Sequence, residues 1–243
     1  MVNLLVDIGN SSVKACYASG TSLEQSVRYS GDDVLGFIKE LTSNRAPEII
    51  AISSVKKFEK GYFSDLKAFC SELLLVDNKS KLPIDNLYKT PDTLGVDRLV
   101  SAIAANALFP GKDVIIFDFG TALTIDFITK KGEFSGGNIS PGLRSRFRSL
   151  SDYTQQLPLV ENPSLVLPSG GTTIEAIESG VVLGLIFEVE GYIKLYPHHI
   201  YIFTGGDAIY FAEKLKSSIF VVYNLVLMGL ARVAQNYAKP KQN

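Results

Sequence analysis

Two short segments carry an aspartate and a glycine directly after an apolar run. They are Leu4-Leu5-Val6-Asp7-Ile8-Gly9-Asn10-Ser11 and, 111 residues later, Ile115-Ile116-Phe117-Asp118-Phe119-Gly120-Thr121-Ala122. A glycine after a strand lets backbone N–H groups point into a concave site and approach phosphate oxygens closely. A carboxylate beside a polyphosphate is repulsive on its own. It makes sense when a cation lies between the two, as when Mg²⁺ bridges phosphates and protein carboxylates. Two such half-sites, Asp7 and Asp118, facing each other across a cleft would clamp a metal–nucleotide complex. Lys14, beyond the first turn, could reach a transferring phosphoryl group. Either turn alone reads as plain hairpin chemistry; the pair favours the clamp.

Thr93-Leu94-Gly95-Val96-Asp97-Arg98 stands at a helix start behind a proline-containing loop. Asp97 in a first turn would complement the helix dipole. With Arg98 it also offers a base and an anion anchor on a rigid element. Arg98 could hold a carboxylate bidentately while Asp97 accepts a proton from a hydroxyl. Thr204-Gly205-Gly206-Asp207 is a third glycine turn after a strand, suited to close approach by adenosine or phosphate. Arg144, Arg146 and Arg148 read as a solvated basic helix face, and His198 and His199 as surface or packing residues.

The elements that must position these groups follow from apolar periodicity. Strands are expected over 3–6, 13–17, 48–53, 74–76, 114–117, 123–128, 199–203 and 219–223. Helices are expected over 32–41, 63–73 and 96–108, from a Thr172–Glu175 capping box to about 196, and from 224 to about 238. Gly180 and Gly184 lie one turn apart on the fourth of these and permit close helix approach. Residues 151–171 form a long irregular segment of the kind used in functional loops or interfaces, and 239–243 a frayed tail. The β–α–β alternation argues for an α/β fold with partly parallel strands. The repeat of the strand–Asp-x-Gly–strand unit near half the chain argues for a duplicated two-domain fold, 1–112 and 113–243, with the final helix free to pack back on the first domain.

Composition narrows the chemistry. The 243 residues hold 24 basic and 25 acidic side chains, two cysteines, two histidines and no tryptophan. Balanced charge argues against nucleic-acid or membrane-surface binding, which needs a basic excess. The cysteines and histidines show no metal-ligand spacing, and two cysteines make no disulfide framework, which points to a reducing cytoplasm. No basic leader precedes Asp7, and the longest apolar stretch, 219–234, is too short for a membrane span. What remains is carboxylate, hydroxyl, arginine, lysine and backbone-amide chemistry.

Taken in order, these motifs resemble those of the type III pantothenate kinases. Asp7-Ile8-Gly9-Asn10-Ser11-Ser12-Val13-Lys14 is similar to their DxGNTxxK opening, and Thr93-Leu94-Gly95-Val96-Asp97-Arg98 to their TLGxDR element. Asp118-Phe119-Gly120-Thr121-Ala122-Leu123-Thr124-Ile125-Asp126 matches DxGTAxTxD. Gly136-Gly137-Asn138-Ile139-Ser140-Pro141-Gly142 resembles GGxIxPG, and Thr172-Thr173-Ile174-Glu175-Ala176-Ile177-Glu178-Ser179-Gly180 resembles NTxxAIxSG. Thr204-Gly205-Gly206-Asp207 and the segment from Asn224 to Leu230 complete a series that spans nearly the whole chain. Ser11 stands for the usual threonine and keeps its hydroxyl; Thr172 stands for the usual asparagine.

The resemblance implies an α/β, duplicated two-domain actin-like fold (sugar kinase/Hsp70/actin superfamily) with a central nucleotide cleft. It implies a cytoplasmic homodimer that uses ATP, Mg²⁺ and a monovalent cation (K⁺ or NH₄⁺) to phosphorylate pantothenate, the first step of coenzyme A synthesis. By position, Asp7, Ile8, Gly9, Asn10, Ser11, Ser12, Val13 and Lys14 would line ATP, as would Thr121. Tyr88, Gly95, Val96, Asp97, Arg98 and Thr173 would hold pantothenate, Thr173 across the dimer interface. Asp97 would be the general base and Asp118 would bind the monovalent cation. Two other readings share these residues. One is an actin-like kinase for another small hydroxylated substrate, differing at the pantothenate positions. The other is a non-catalytic regulatory paralogue, which would be expected to lose Asp97 or Lys14.

Overall fold

The first apolar run forms β1 (Val2–Ile8), and the polar segment behind it turns the chain straight back into β2 (Val13–Ser19), paired antiparallel with Asp7 opposite Lys14. The turn is closed by the Gly9 N–H donating to the Ser12 carbonyl at 3.0 Å. The same event recurs in β8 (Val114–Phe119) and β9 (Ala122–Ile128), with Asp118 opposite Thr124. The computed structural model describes residues 2–161, 163 and 166–238. The tail expected over 239–243 lies outside the described residues.

The chain divides into two units, one of residues 1–111, 130–135 and 224–243, the other of 112–129 and 136–223. In the first, β1 also pairs in parallel with β5 (Ile49–Ser54), which pairs in parallel with β6 (Glu72–Val76). Beyond β2 lie β3 (Ser22–Leu23) and β4 (Val27–Tyr29), giving the order β3-β2-β1-β5-β6 with β4 also on β2. In the second unit, β8 pairs in parallel with β11 (Ile200–Gly205), and β11 with β12 (Ile219–Val221). With β10 (Glu133–Pro141) beyond β9, the order β10-β9-β8-β11-β12 repeats the first sheet strand for strand. The duplicated motif is therefore a duplicated sheet.

Strand periodicity then sorts side chains between faces. In the first unit Leu4, Val6 and Ile8 join Val34 and Ile38 of α1 (Val34–Asn44), which Asp33 caps by accepting from the Gly36 N–H at 2.8 Å. Leu5, Cys16, Ile49 and Ala51 face the other way, under Val96, Val100 and Ile103 of α2 (Val96–Leu108) and Leu227, Leu230 and Ala234 of α6 (Leu225–Ala238). Gly229 of α6 lies so close to α2 that a Cβ there would collide with the Val100 carbonyl. The final helix thus belongs to the first unit.

In the second unit one core joins Ile115, Phe117 and Phe119 to α3 (Leu143–Tyr153), α4 (Thr173–Leu195) and the short α5 (Ala208–Ala212). The expected Thr172–Glu175 capping box is formed at the start of α4. The helix expected over 63–73 is instead a 3₁₀ turn, Ser64–Phe69, followed by extended backbone at Cys70. Its buried side chains, Phe63 and Leu66, are three residues apart, the 3₁₀ repeat. In β7 (Asp85–Asn86) the chain adds a short parallel pairing to the start of β10. No helix among the described residues is long and apolar enough to cross a membrane.

Candidate active site

Asp7 shares the alternation of Leu5, so its carboxylate lies on the face of the first sheet that α2 covers. Ser53, its partner on β5, donates from Oγ to Asp7 Oδ1 at 3.1 Å. Burial and, next, the charge of Asp97 push the Asp7 carboxyl up to about 6, against the Ser53 hydrogen bond and the nearby Lys14. Strand register and helix placement thus bring Asp7, Lys14 and Asp97 into one layer.

Asp97 sits in the first turn of α2, where its Oδ1 accepts from the Arg98 N–H at 2.9 Å. Burial raises its carboxyl above the usual carboxylate range, outweighing that hydrogen bond and the Arg98 charge. This carboxylate folds back over Gly95, the N-cap: a Cβ at Gly95 would meet Asp97 Oδ1 at 2.5 Å. The buried Arg98 guanidinium lies 5.9 Å from the Tyr88 ring centre and 5.8 Å from that of Phe134. Two ring faces fix the plane of a group that binds carboxylates bidentately. Tyr88, Gly95, Asp97 and Arg98 are thereby brought together.

The other positions of the first turn divide by exposure. Asn10 and Ser11 are exposed, Gly9 and Ser12 half-buried. Ile8 and Val13 are core side chains, as is Val96, so what they can offer a ligand is backbone. Ser12 Oγ accepts from Nε of Arg28 on β4 at 2.9 Å. Neither Arg28 nor Ser53 was singled out from sequence. Only strand register reveals them.

In the second unit, the exposed Thr121 accepts through its carbonyl from the Gly142 N–H at 3.0 Å and from Ser145 Oγ at 2.6 Å. A Cβ at Gly142 would collide with the Gly120 carbonyl, which explains the glycine at the α3 start. Thr204 lies opposite Asp118 in the β8–β11 register. Gly205 adopts φ +92°, and a Cβ there would meet both Asp118 Oδ1 and the Phe119 carbonyl at 2.5 Å. The Thr204–Asp207 turn thus packs on the Asp118 turn. Burial raises the Asp207 carboxyl against the charge of Arg144.

Thr173 opens α4, exposed, beside a cavity of about 580 Å³ lined also by Arg146, Leu157 and Ile177. The helix behind it is braced: Glu188 pairs with Arg146 and accepts from Ser140 Oγ at 2.7 Å. Arg144 and Arg148 are exposed as expected, but Arg146 is not part of a solvated face. It spans two elements through this half-buried ion pair.

The oxygen chemistry of these sites fits hard cations. Among the described residues no three His, Cys, Asp or Glu side chains are grouped to hold a metal. One or two carboxylates with substrate phosphates is the usual magnesium arrangement, and Asp7 is a carboxylate that could serve in one. Asp118 is a second carboxylate that could face a hard cation.

The family model of type III pantothenate kinase matches residues 3–195. The chain belongs to the type III pantothenate kinase family. A type III pantothenate kinase of Phocaeicola vulgatus is 40% identical over 236 residues, 96% of this chain and 97% of the relative. A solved Campylobacter jejuni protein, described as a Baf family transcriptional activator, matches with TM-score 0.68 at 20% identity over 98% of this chain and 100% of its own. Another, described as a 2-dehydro-3-deoxygalactonokinase of Sinorhizobium meliloti, matches with TM-score 0.63 at 13% identity, covering 98% and 100%. At these identities the two structures speak to fold alone, the actin-like and sugar-kinase fold expected from the motifs.

Proposed function

We propose that this protein transfers the γ-phosphoryl group of ATP to the primary hydroxyl of pantothenate, forming 4'-phosphopantothenate, the first step of coenzyme A synthesis. Family membership supports the substrate. The observation that carries the chemistry is the pairing of Asp97, a half-buried carboxylate of raised basicity, with Arg98, a ring-braced guanidinium on the same helical turn.

Arg98 holds the pantothenate carboxylate, with Tyr88, Gly95 and Val96 lining the substrate. Asp97 accepts the hydroxyl proton as the oxygen attacks phosphorus in line with the leaving oxygen of ADP. Such proton transfer contributes about 10²–10⁴-fold. The larger share comes from positioning and charge neutralisation. Residues Asp7 to Lys14 line ATP: amides and hydroxyls at Gly9, Asn10, Ser11 and Ser12, backbone at Ile8 and Val13, charge at Lys14. Thr121 adds a further ATP contact. Asp7 would hold Mg²⁺ and Asp118 a monovalent cation, which would supply screening of the phosphoryl charge. Turnover measured in K⁺, NH₄⁺ and Li⁺ tests the latter: the rate should fall at least about tenfold in Li⁺, and equal rates in all three would remove the cation from the account.

The protein acts as a cytoplasmic homodimer. The support is one face of α4, where Thr173, Gly180, Gly184, Phe187, Gly191 and Leu195 follow at helical spacing. Phe187 is 62% and Leu195 73% exposed, on a face whose glycines admit close approach. Thr173 shares that face, so a second copy would meet it and receive it as a substrate contact. Phe187→Asp should yield a monomer by sedimentation and raise the KM for pantothenate. A dimer with unchanged KM would reject this interface. The proposed activity as a whole is tested by following ADP release with and without pantothenate.

A further inference from the structure

We infer that Arg28 is an additional phosphate anchor of the nucleotide site. The inference rests on the reading that the Asp7–Lys14 turn binds ATP phosphates. Three strand registers place Ser53 opposite Asp7, Asp7 opposite Lys14, and Lys14 opposite Arg28. Directly opposed residues project from the same face of a sheet. The four side chains therefore form one row across β5, β1, β2 and β4, running from buried Ser53 to exposed Arg28.

Arg28 is tied to the turn by its Nε, which donates to Ser12 Oγ at 2.9 Å. That bond uses one of the five guanidinium donors and fixes the plane of the rest. Among the described residues, no carboxylate pairs with Arg28. Its two NH₂ groups are thus available at the rim of the turn, in the fork geometry that matches phosphate oxygens.

Local charge shows why such a group matters. Lys14 acts on Asp7 and Arg98 acts on Asp97. Each of these bases is thus set against an acid, so a further cation at the rim of the turn adds directly to the attraction for a polyanion. Arg28 is the adjacent cation that tips the balance. It also holds the Ser12 hydroxyl in place.

Equilibrium binding of ATP and AMP to the full-length wild type, Arg28→Ala, Arg28→Gln and Lys14→Ala decides the matter, with folding checked by each variant's thermal transition. Arg28→Ala should weaken ATP binding about tenfold or more, the scale of a lost charge-assisted hydrogen bond, and weaken AMP less. Arg28→Gln, which keeps a donor for Ser12 without the charge, should resemble Arg28→Ala. If Arg28→Gln binds ATP like the wild type, or if ATP and AMP weaken equally, Arg28 only buttresses the turn and the inference is overturned. If Lys14→Ala also binds ATP like the wild type, the phosphate reading of the turn fails as well.

Discussion

Asp97→Asn is expected to lower kcat by about 10²–10⁴-fold, the range for loss of a general base, while ATP affinity changes little. The side chain is isosteric, and the Oδ1 that accepts from the Arg98 N–H remains as an amide oxygen, so the α2 start should survive. Two further readouts separate a base from a structural carboxylate. Burial raises the Asp97 pKa, so the acid limb of the wild-type kcat profile should lie above the ordinary carboxylate range, rising with pH as the base ionises. In Asp97→Asn the limb due to this group should vanish. Because the Asp97 charge helps raise Asp7, the substitution should also lower the Asp7 pKa, measurable by NMR titration. Near-normal turnover by a folded Asp97→Asn protein would end the base assignment.

Asp7→Asn should do two opposite things: stabilise the unliganded protein and disable it. The Asp7 carboxyl titrates at about 6 in the fold against 3.8 as the reference for the unfolded chain. The folded form therefore binds this proton more tightly, and ionisation works against folding. The cost is absent below the unfolded value, grows between the two, and is fully present above about 6. About two pKa units correspond to at most about 3 kcal/mol, a net figure in which the attraction to Lys14 is already included. Asp7→Asn should thus raise Tm by several degrees at pH 8 and by little near pH 4. Activity should fall about 10²-fold or more, on the scale of a removed electrostatic anchor, and Mg²⁺–ATP should protect the variant less against heat than it protects the wild type. A Tm gain that is the same at both pH values would contradict the buried-charge explanation.

In the proposed mechanism, function is stored as unfavourable electrostatics. Burial makes both Asp7 and Asp97 costly to ionise where β1 meets α2, and the charge of Asp97 adds to the cost at Asp7. Residues that ease the conflict, Ser53 and Lys14, lie in the same cross-strand row.

Local structure was readable along the chain. The two Asp-x-Gly turns announced two hairpins, and 96–108 and the Thr172–Glu175 box marked their helices to within a residue. Ser53 and Arg28 were not readable, because they reach their partners across 46 and 16 residues through register. Arg146 looked like a solvated charge until α3 and α4 brought Glu188 beside it, 42 residues away in sequence. Residues 133–141 gave little strand signal because glycine, asparagine and serine interrupt the apolar alternation, yet backbone pairing draws them into β10. In α3 only Leu143 and Phe147 are fully buried, too few to mark a helix by periodicity. The 63–73 misreading has the same root, since residues three apart satisfy both an α-helical stripe and a 3₁₀ turn.

The most direct test of the account is ADP release from ATP by the purified protein, measured with and without pantothenate in Mg²⁺ and K⁺, with the product identified by mass and ³¹P NMR. The account predicts that ADP release depends on pantothenate, that one phosphoryl group is found on its primary hydroxyl, and that Asp97→Asn loses this activity. ADP release at the same rate without pantothenate, or phosphorylation of another hydroxylated acceptor with pantothenate left unchanged, would contradict it.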